Sequence, residues 1–178
     1  MKSVTLHDKT FDIFINAEEI DQAISKVAGQ LNHDYKDKNP LFLVVLNGAF
    51  MFASDLFKKL TIGCEISFVK LSSYQGTETT EKVKQLIGLN EHLEDRDIVI
   101  VEDIVDTGIT ITQLMAELEI RKPKDVKICT FLLKPEKYSK PIPVNYVGIS
   151  IPNAFVLGYG LDYDGLGRNL PDLYQLRG

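Results

Sequence analysis

A chain of 178 residues with 44% apolar content and a formal charge of −5 has the makings of one globular domain with a substantial core. The same acidic balance speaks against a surface built to hold a nucleic-acid backbone, which needs a clustered basic excess. No stretch approaches the ~20 apolar residues of a membrane span and the N-terminus has no apolar leader core, so a soluble, cytoplasmic protein is expected.

The first predicted element is a helix through "NAEEIDQAISKVAGQLNHDYK". Asn16 is placed to cap it, Glu19 follows three residues on, and Ile20, Ala23, Ile24, Val27 and Leu31 recur at helical spacing. "PLFLVVLNGAF" is a continuous apolar run ending in Asn-Gly, as expected of a strand covered on both faces that stops at a tight turn. A helix through "MFASDLFKKL" and a strand through "CEISFVKLSSY" come next, and the polar, Thr-rich "QGTETTEKVK" is expected to be a mobile loop. Cys64, in that strand, and Cys129 lack zinc-ligand spacing and are expected to be buried free thiols. Further on, "DIVIVEDIVDTG" predicts a buried strand over Val99 to Val101, "ITITQLMAELEIRK" a helix, and "DVKICTFLLK" another strand. Strands alternating with helices predict an α/β fold with a mostly parallel twisted sheet covered by helices on both faces. Ligands then bind beyond the carboxyl ends of the strands, in the loops after Leu46, Val101, Leu133 and Ile151.

Chemistry concentrates in "VEDIVDTGITI". A Gly-containing loop running into a helix N-terminus offers Thr107, Gly108, Thr110 and free backbone N–H groups to a phosphate, although its spacing is neither that of a Walker loop nor that of a dinucleotide fingerprint. Glu102 and Asp103 are hard oxygen ligands suited to Mg²⁺ shared with a phosphorylated substrate. A carboxylate at Asp106 repels the anion beside it unless it has a task, for which proton acceptance is the economical choice. An Asp-rich capping turn, with Asp106 or Thr107 as the N-cap, explains the same residues without chemistry.

"IVIVEDIVDTGIT" resembles the phosphoribosyl-pyrophosphate signature of type I phosphoribosyltransferases, in the form found in hypoxanthine-guanine phosphoribosyltransferases. In the family's order, "VVLNGAFMF" resembles its pyrophosphate loop, "KLSSYQGT" its flap, "FLLKPE" its purine-lysine strand and "YVGISIPNAFVLGYGLDYDGLGRNLPDLYQL" its purine hood. The resemblance implies one phosphoribosyltransferase domain over 1–178, its hood formed by the N-terminal segment and about 150–178. It implies that Asp106, Thr107, Gly108, Ile109 and Thr110 hold the 5′-phosphate, that Glu102 and Asp103 engage the ribose and its Mg²⁺, and that Asp106 takes the proton at the purine N7. Lys134 would donate to a 6-oxo group, Phe155 would stack on the base, and Val156 would meet its edge through the backbone. Asp162, beside the purine, would bind a second Mg²⁺. Arg168 with Leu46, Asn47 and Gly48, a loop that in the family often carries a non-proline cis peptide, would hold pyrophosphate. Ser73 and Tyr74 would belong to the closing flap.

The implied reaction is Mg²⁺-dependent transfer of the phosphoribosyl group from phosphoribosyl pyrophosphate to hypoxanthine or guanine, by a homodimer or homotetramer that binds neither nucleic acid nor membrane. Asn47 and Ile109 stand where relatives carry lysine, and Asn153-Ala154 and Leu166-Gly167 depart from the usual hood, which leaves the ranking of 6-oxopurines, xanthine included, open. A nucleotide-sensing RNA-binding regulator of the same fold is the other class; the acidic composition and Asp106 count against it. Tyr159 and Tyr163 are read as packing.

Overall fold

The computed structural model describes residues 3–72, 84–87 and 91–178, with side chains described outside 71–72 and 84–87. Two strands, β1 (Ser3–Leu6) and β2 (Lys9–Ile15), precede helix α1 (Ala17–Asp34). The Asn16 side chain accepts from the Glu19 N–H at 3.0 Å and the Glu19 carboxylate accepts from the Asn16 N–H at 3.0 Å, so two of the helix's free donors are satisfied. Ile20, Ile24, Val27 and Leu31 form its buried stripe, as their spacing predicts.

β3 (Leu41–Leu46), α2 (Phe50–Lys59), β4 (Glu65–Ser72), β5 (Lys84–Ile87), β6 (Asp97–Val105), α3 (Ile109–Glu119), β7 (Asp125–Leu133) and β8 (Tyr146–Ser150) follow. They build a six-stranded sheet in the order β5-β4-β3-β6-β7-β8, parallel except for the antiparallel β4–β5 pair. Period-2 alternation divides its core between two faces. Phe42, Val44, Val99 and Val101 pack with α1 and α2, while Leu41, Leu43, Val45, Ile98 and Ile100 pack with Leu114 and Leu118 of α3.

A second, antiparallel sheet in the order β1-β2-β10-β9 joins the N-terminal strands to β9 (Val156–Leu157) and β10 (Leu173–Leu176) over the small cluster of Phe11, Leu157 and Tyr174. β3 is the hinge of the large sheet's topology. The chain moves outward from it to β4, then returns to its other side with β6, which opens a crevice beyond the carboxyl ends of β3 and β6.

Three expectations change. β6 does not stop at Val101: its pairing with β3 ends at Val44–Val101, but its pairing with β7 continues to Val105–Leu133, so the loop begins four residues later than expected. β5, which pairs with the end of β4, begins at Lys84 inside the segment read as a loop; the rest of that segment, with Ser73 and Tyr74, lies outside the described residues. Both thiols are free, but only Cys129 is fully buried; Cys64 is half-buried. Among the described residues no helix is long and apolar enough to cross a membrane.

Candidate active site

The extension of β6 puts Glu102 and Asp103 inside a strand that is paired on one side and open to the crevice on the other. Glu102 is only 5% exposed, and burial, reinforced by the Asp103 charge beside it, holds its carboxyl well above the usual carboxylate range. Burial raises Asp103 as well, although its Oδ1 accepts from the Ile104 N–H at 2.8 Å. Across the crevice, the loop after β3 carries a cis peptide between Leu46 and Asn47 and packs Gly48 against the Asp103 carboxylate so closely that no Cβ fits there.

After Val105 the chain turns through Asp106 and Thr107 to Gly108, which takes φ 77° at the N-cap of α3, a conformation glycine adopts freely. The helix starts at Ile109, the first residue of the predicted segment, and among the described residues no side chain caps it. Asn47, Gly48, the two acidic residues of β6, Ile109 and Thr110 line one cleft of about 400 Å³ together with Asp162 and Arg168. Arg168 is locked in place: Nη1 donates to the Gly160 carbonyl at 2.7 Å and Nη2 meets Asp162 Oδ1 at 2.5 Å, while Asp162 Oδ2 accepts from the Gly165 N–H at 2.8 Å.

Lys134 lies at the end of β7, anchored by its N–H to the Val105 carbonyl at 2.9 Å, and only 7% exposed. Its Nζ is 3.4 Å from Asp106 Oδ2. Among the described residues the other oxygen, Oδ1, is buried without a hydrogen-bond partner, which for a carboxylate is costly unless something arrives to donate to it. Phe155, immediately before β9, is 48% exposed rather than buried in the core, with its ring edge-on to Tyr163 at 5.9 Å. Val156 buries its side chain and pairs with Gln175, which leaves only backbone to meet a ligand.

Among the described residues no three acidic, Cys or His side chains form a protein-only metal cage. Glu102 and Asp103 lie together and Asp162 elsewhere in the same cleft, a donor set that suits hard cations completed by oxygens of a bound substrate. Two carboxylates side by side, Glu102 buried and Asp103 half-buried, each with raised proton affinity, also gain from a divalent ion.

Reading the sequence missed three things here. Gln113 lines the cleft one helical turn after Ile109. Tyr159 does more than pack: its hydroxyl donates to Asp55 Oδ2 of α2 at 2.6 Å, tying the C-terminal segment to the helix behind the Asn47 loop. Lys137 brings a second ammonium to Asp106 Oδ2 at 3.5 Å; the Lys-Pro-x-Lys spacing was its signal, since Pro135 favours a turn that returns position 137 to the side of 134.

Comparison with known proteins gives the same direction. The family model described as phosphoribosyl transferase domain matches residues 15–164. The hypoxanthine phosphoribosyltransferase of Escherichia coli (strain K12) is 39% identical over 165 residues, covering 91% of this chain and 93% of that protein. The hypoxanthine-guanine-xanthine phosphoribosyltransferase of Tritrichomonas foetus is 36% identical over 172 residues, 96% of this chain and 94% of that one. The crystal structure of a hypoxanthine-guanine phosphoribosyltransferase from Bacillus anthracis superposes with a TM-score of 0.87 at 35% identity, over 93% of this chain and 98% of that one. Of the longer bifunctional protein TilS/HprT of Listeria innocua, 39% identical over 168 residues, the chain spans only 26% of the length.

Proposed function

The chain belongs to the phosphoribosyltransferase family, and from that premise we propose how its residues carry out the transfer. The reaction is that of the hypoxanthine-guanine type in purine salvage: N9 of the purine bonds to C1′ of phosphoribosyl pyrophosphate, the C1′–O bond breaks with its electron pair leaving on pyrophosphate, and the N7 proton is lost. The observation that carries the assignment of roles is the Asp106–Lys134 pair, with Asp106 Oδ1 buried and unpartnered among the described residues. Oδ1 receives the N7 proton. Lys134 donates to the 6-oxo group, and adenine, with an amino group there, leaves that ammonium unpaired and is a poor substrate.

The N–H groups at the start of α3, with Thr107 and Thr110, hold the 5′-phosphate. Glu102 and Asp103 face the ribose hydroxyls, Arg168 and the Leu46–Gly48 loop meet the departing pyrophosphate, and Phe155 covers the base while Val156 meets its edge. Glu102, Asp103 and Asp162 would hold Mg²⁺, which would supply positive charge to offset the negative charge that develops on the leaving group. The chain acts as a single domain whose second sheet forms the hood, in a cytoplasmic dimer or tetramer.

Pyrophosphate release, measured with hypoxanthine, guanine, xanthine, adenine and orotate side by side, tests the reading. Turnover confined to 6-oxopurines supports it and ranks them; tight phosphoribosyl-pyrophosphate binding without turnover on any base favours a sensor instead. Lys134→Ala is expected to weaken hypoxanthine binding far more than phosphoribosyl-pyrophosphate binding in titration calorimetry, and the opposite ranking would put the lysine on the wrong substrate.

Glu102→Gln is expected to stabilise the ligand-free protein while weakening Mg²⁺-dependent phosphoribosyl-pyrophosphate binding. The folded state holds the Glu102 proton more tightly than the ordinary value of 4.5 allows, so the cost of the buried charge is present above the raised value and relieved as pH falls through it. Thermal melts of both proteins from pH 8 to pH 5 should therefore differ most at high pH and converge on acidification. Equal melting at pH 8 would contradict this.

A further inference from the structure

Asp106 Oδ2 is met by two ammonium groups, Lys134 Nζ at 3.4 Å and Lys137 Nζ at 3.5 Å, and the two lysines differ in kind. Lys134 is 7% exposed and fixed at the end of β7, whereas the Lys137 side chain is 40% exposed on the turn that follows. That turn is tight: the Lys134 carbonyl accepts from the N–H groups of both Lys137 and Tyr138 at 3.1 Å, which brings the position 137 side chain back over β6. Tyr138, its hydroxyl donating to the Ile142 carbonyl at 2.6 Å, packs over Gly108, so the turn and the phosphate loop form one contact surface.

If Lys134 is the donor to the purine's 6-oxo group, as proposed above and as this inference requires, the arriving base draws it away from Asp106. The carboxylate would then stand beside a bound phosphate with no cation of its own, and the Coulomb repulsion between the two anions would oppose both purine binding and retention of Asp106 in line with N7. We propose that Lys137 is a positioning residue: it holds the Asp106 carboxylate when Lys134 turns to the base, so that Oδ1 keeps facing the proton it accepts. Two cations are thus needed because one of them is used twice, first by the carboxylate and then by the substrate.

The role shows only in the presence of the base. Before the purine arrives Lys134 still covers Asp106, so Lys137→Ala is expected to bind phosphoribosyl pyrophosphate with wild-type affinity in calorimetry and to melt at the wild-type temperature. Its kcat/KM for hypoxanthine is expected to fall about tenfold, a loss of about 1.4 kcal/mol in transition-state stabilisation, and Lys137→Arg to restore most of it. Wild-type kcat/KM in Lys137→Ala overturns the inference. So does a loss carried wholly by weaker phosphoribosyl-pyrophosphate binding, which would make Lys137 a phosphate ligand, or an Arg variant as impaired as the Ala variant. The wild-type enzyme in the same assay separates this from failure of the transferase reading, since that failure appears as no hypoxanthine turnover at all.

Discussion

Asp106→Asn is expected to lower kcat for hypoxanthine by about 10² to 10⁴, the usual contribution of a positioned general base, while the affinity for phosphoribosyl pyrophosphate is largely kept. The side chain is nearly isosteric, so the turn from β6 into α3 survives. What changes is the atom at Oδ1. In the native chain it is a buried acceptor without a partner among the described residues; an amide placed there offers either an N–H₂ group, which repels the purine N7–H, or a neutral carbonyl that accepts a hydrogen bond but cannot take the proton. Removing the charge also releases Lys134 and Lys137 from their common partner. The dissociation constant for hypoxanthine then moves far less than kcat, and the two quantities together are the measurement. Turnover within a few-fold of wild type would remove the proton role from Asp106 and return the DxxDTG segment to a capping turn.

How legible all this was depended on how local each cause is. The capping box of α1 lies within four residues, and the apolar runs of β3 and β6 carry their own burial signal, so both were readable. The end of β6 was not. Glu102 and Asp103 look like a strand terminus by polarity, yet β7 goes on offering hydrogen bonds to Val105, and nothing in residues 99–105 reports what the neighbouring strand does. Likewise, β2 pairs with β10 across more than 150 residues, Tyr174 against Ile13, and the Tyr159 hydroxyl reaches Asp55 104 positions away. The resemblance supplied the names of the site residues without their mutual contacts. The resemblance assigns Lys134 to the purine's 6-oxo group and says nothing of its partner on the protein; the structure pairs it with Asp106, whose Oδ2 Lys137 also meets.

Gly160→Ala is expected to be severely damaging, costing about 3 to 5 kcal/mol of stability and weakening pyrophosphate binding by about 10²-fold. A Cβ at this position would lie 2.1 Å from the Gly48 carbonyl oxygen, and the native φ of 99° is one that L side chains rarely adopt. Backbone meets backbone here, so no side chain can rotate aside; either the C-terminal segment or the Asn47–Gly48 loop must move. Both outcomes reach the same ligand. The Gly160 carbonyl holds Arg168 at 2.7 Å, and Gly48 is pressed against Asp103, so a shift on either side spoils the pocket in which the guanidinium and the loop face each other. Gly165→Ala separates strain from collision, because its φ of 86° is equally unfavourable for alanine while none of the described residues lies within 4 Å of the added methyl. Melting curves and pyrophosphate calorimetry on the two variants, taken at a temperature where both are folded, decide the matter. If Gly165→Ala keeps pyrophosphate affinity and Gly160→Ala loses it, the contact between residues 48 and 160 is what sets the leaving-group pocket. If both melt lower and both bind normally, that contact is packing, and the pocket does not depend on it.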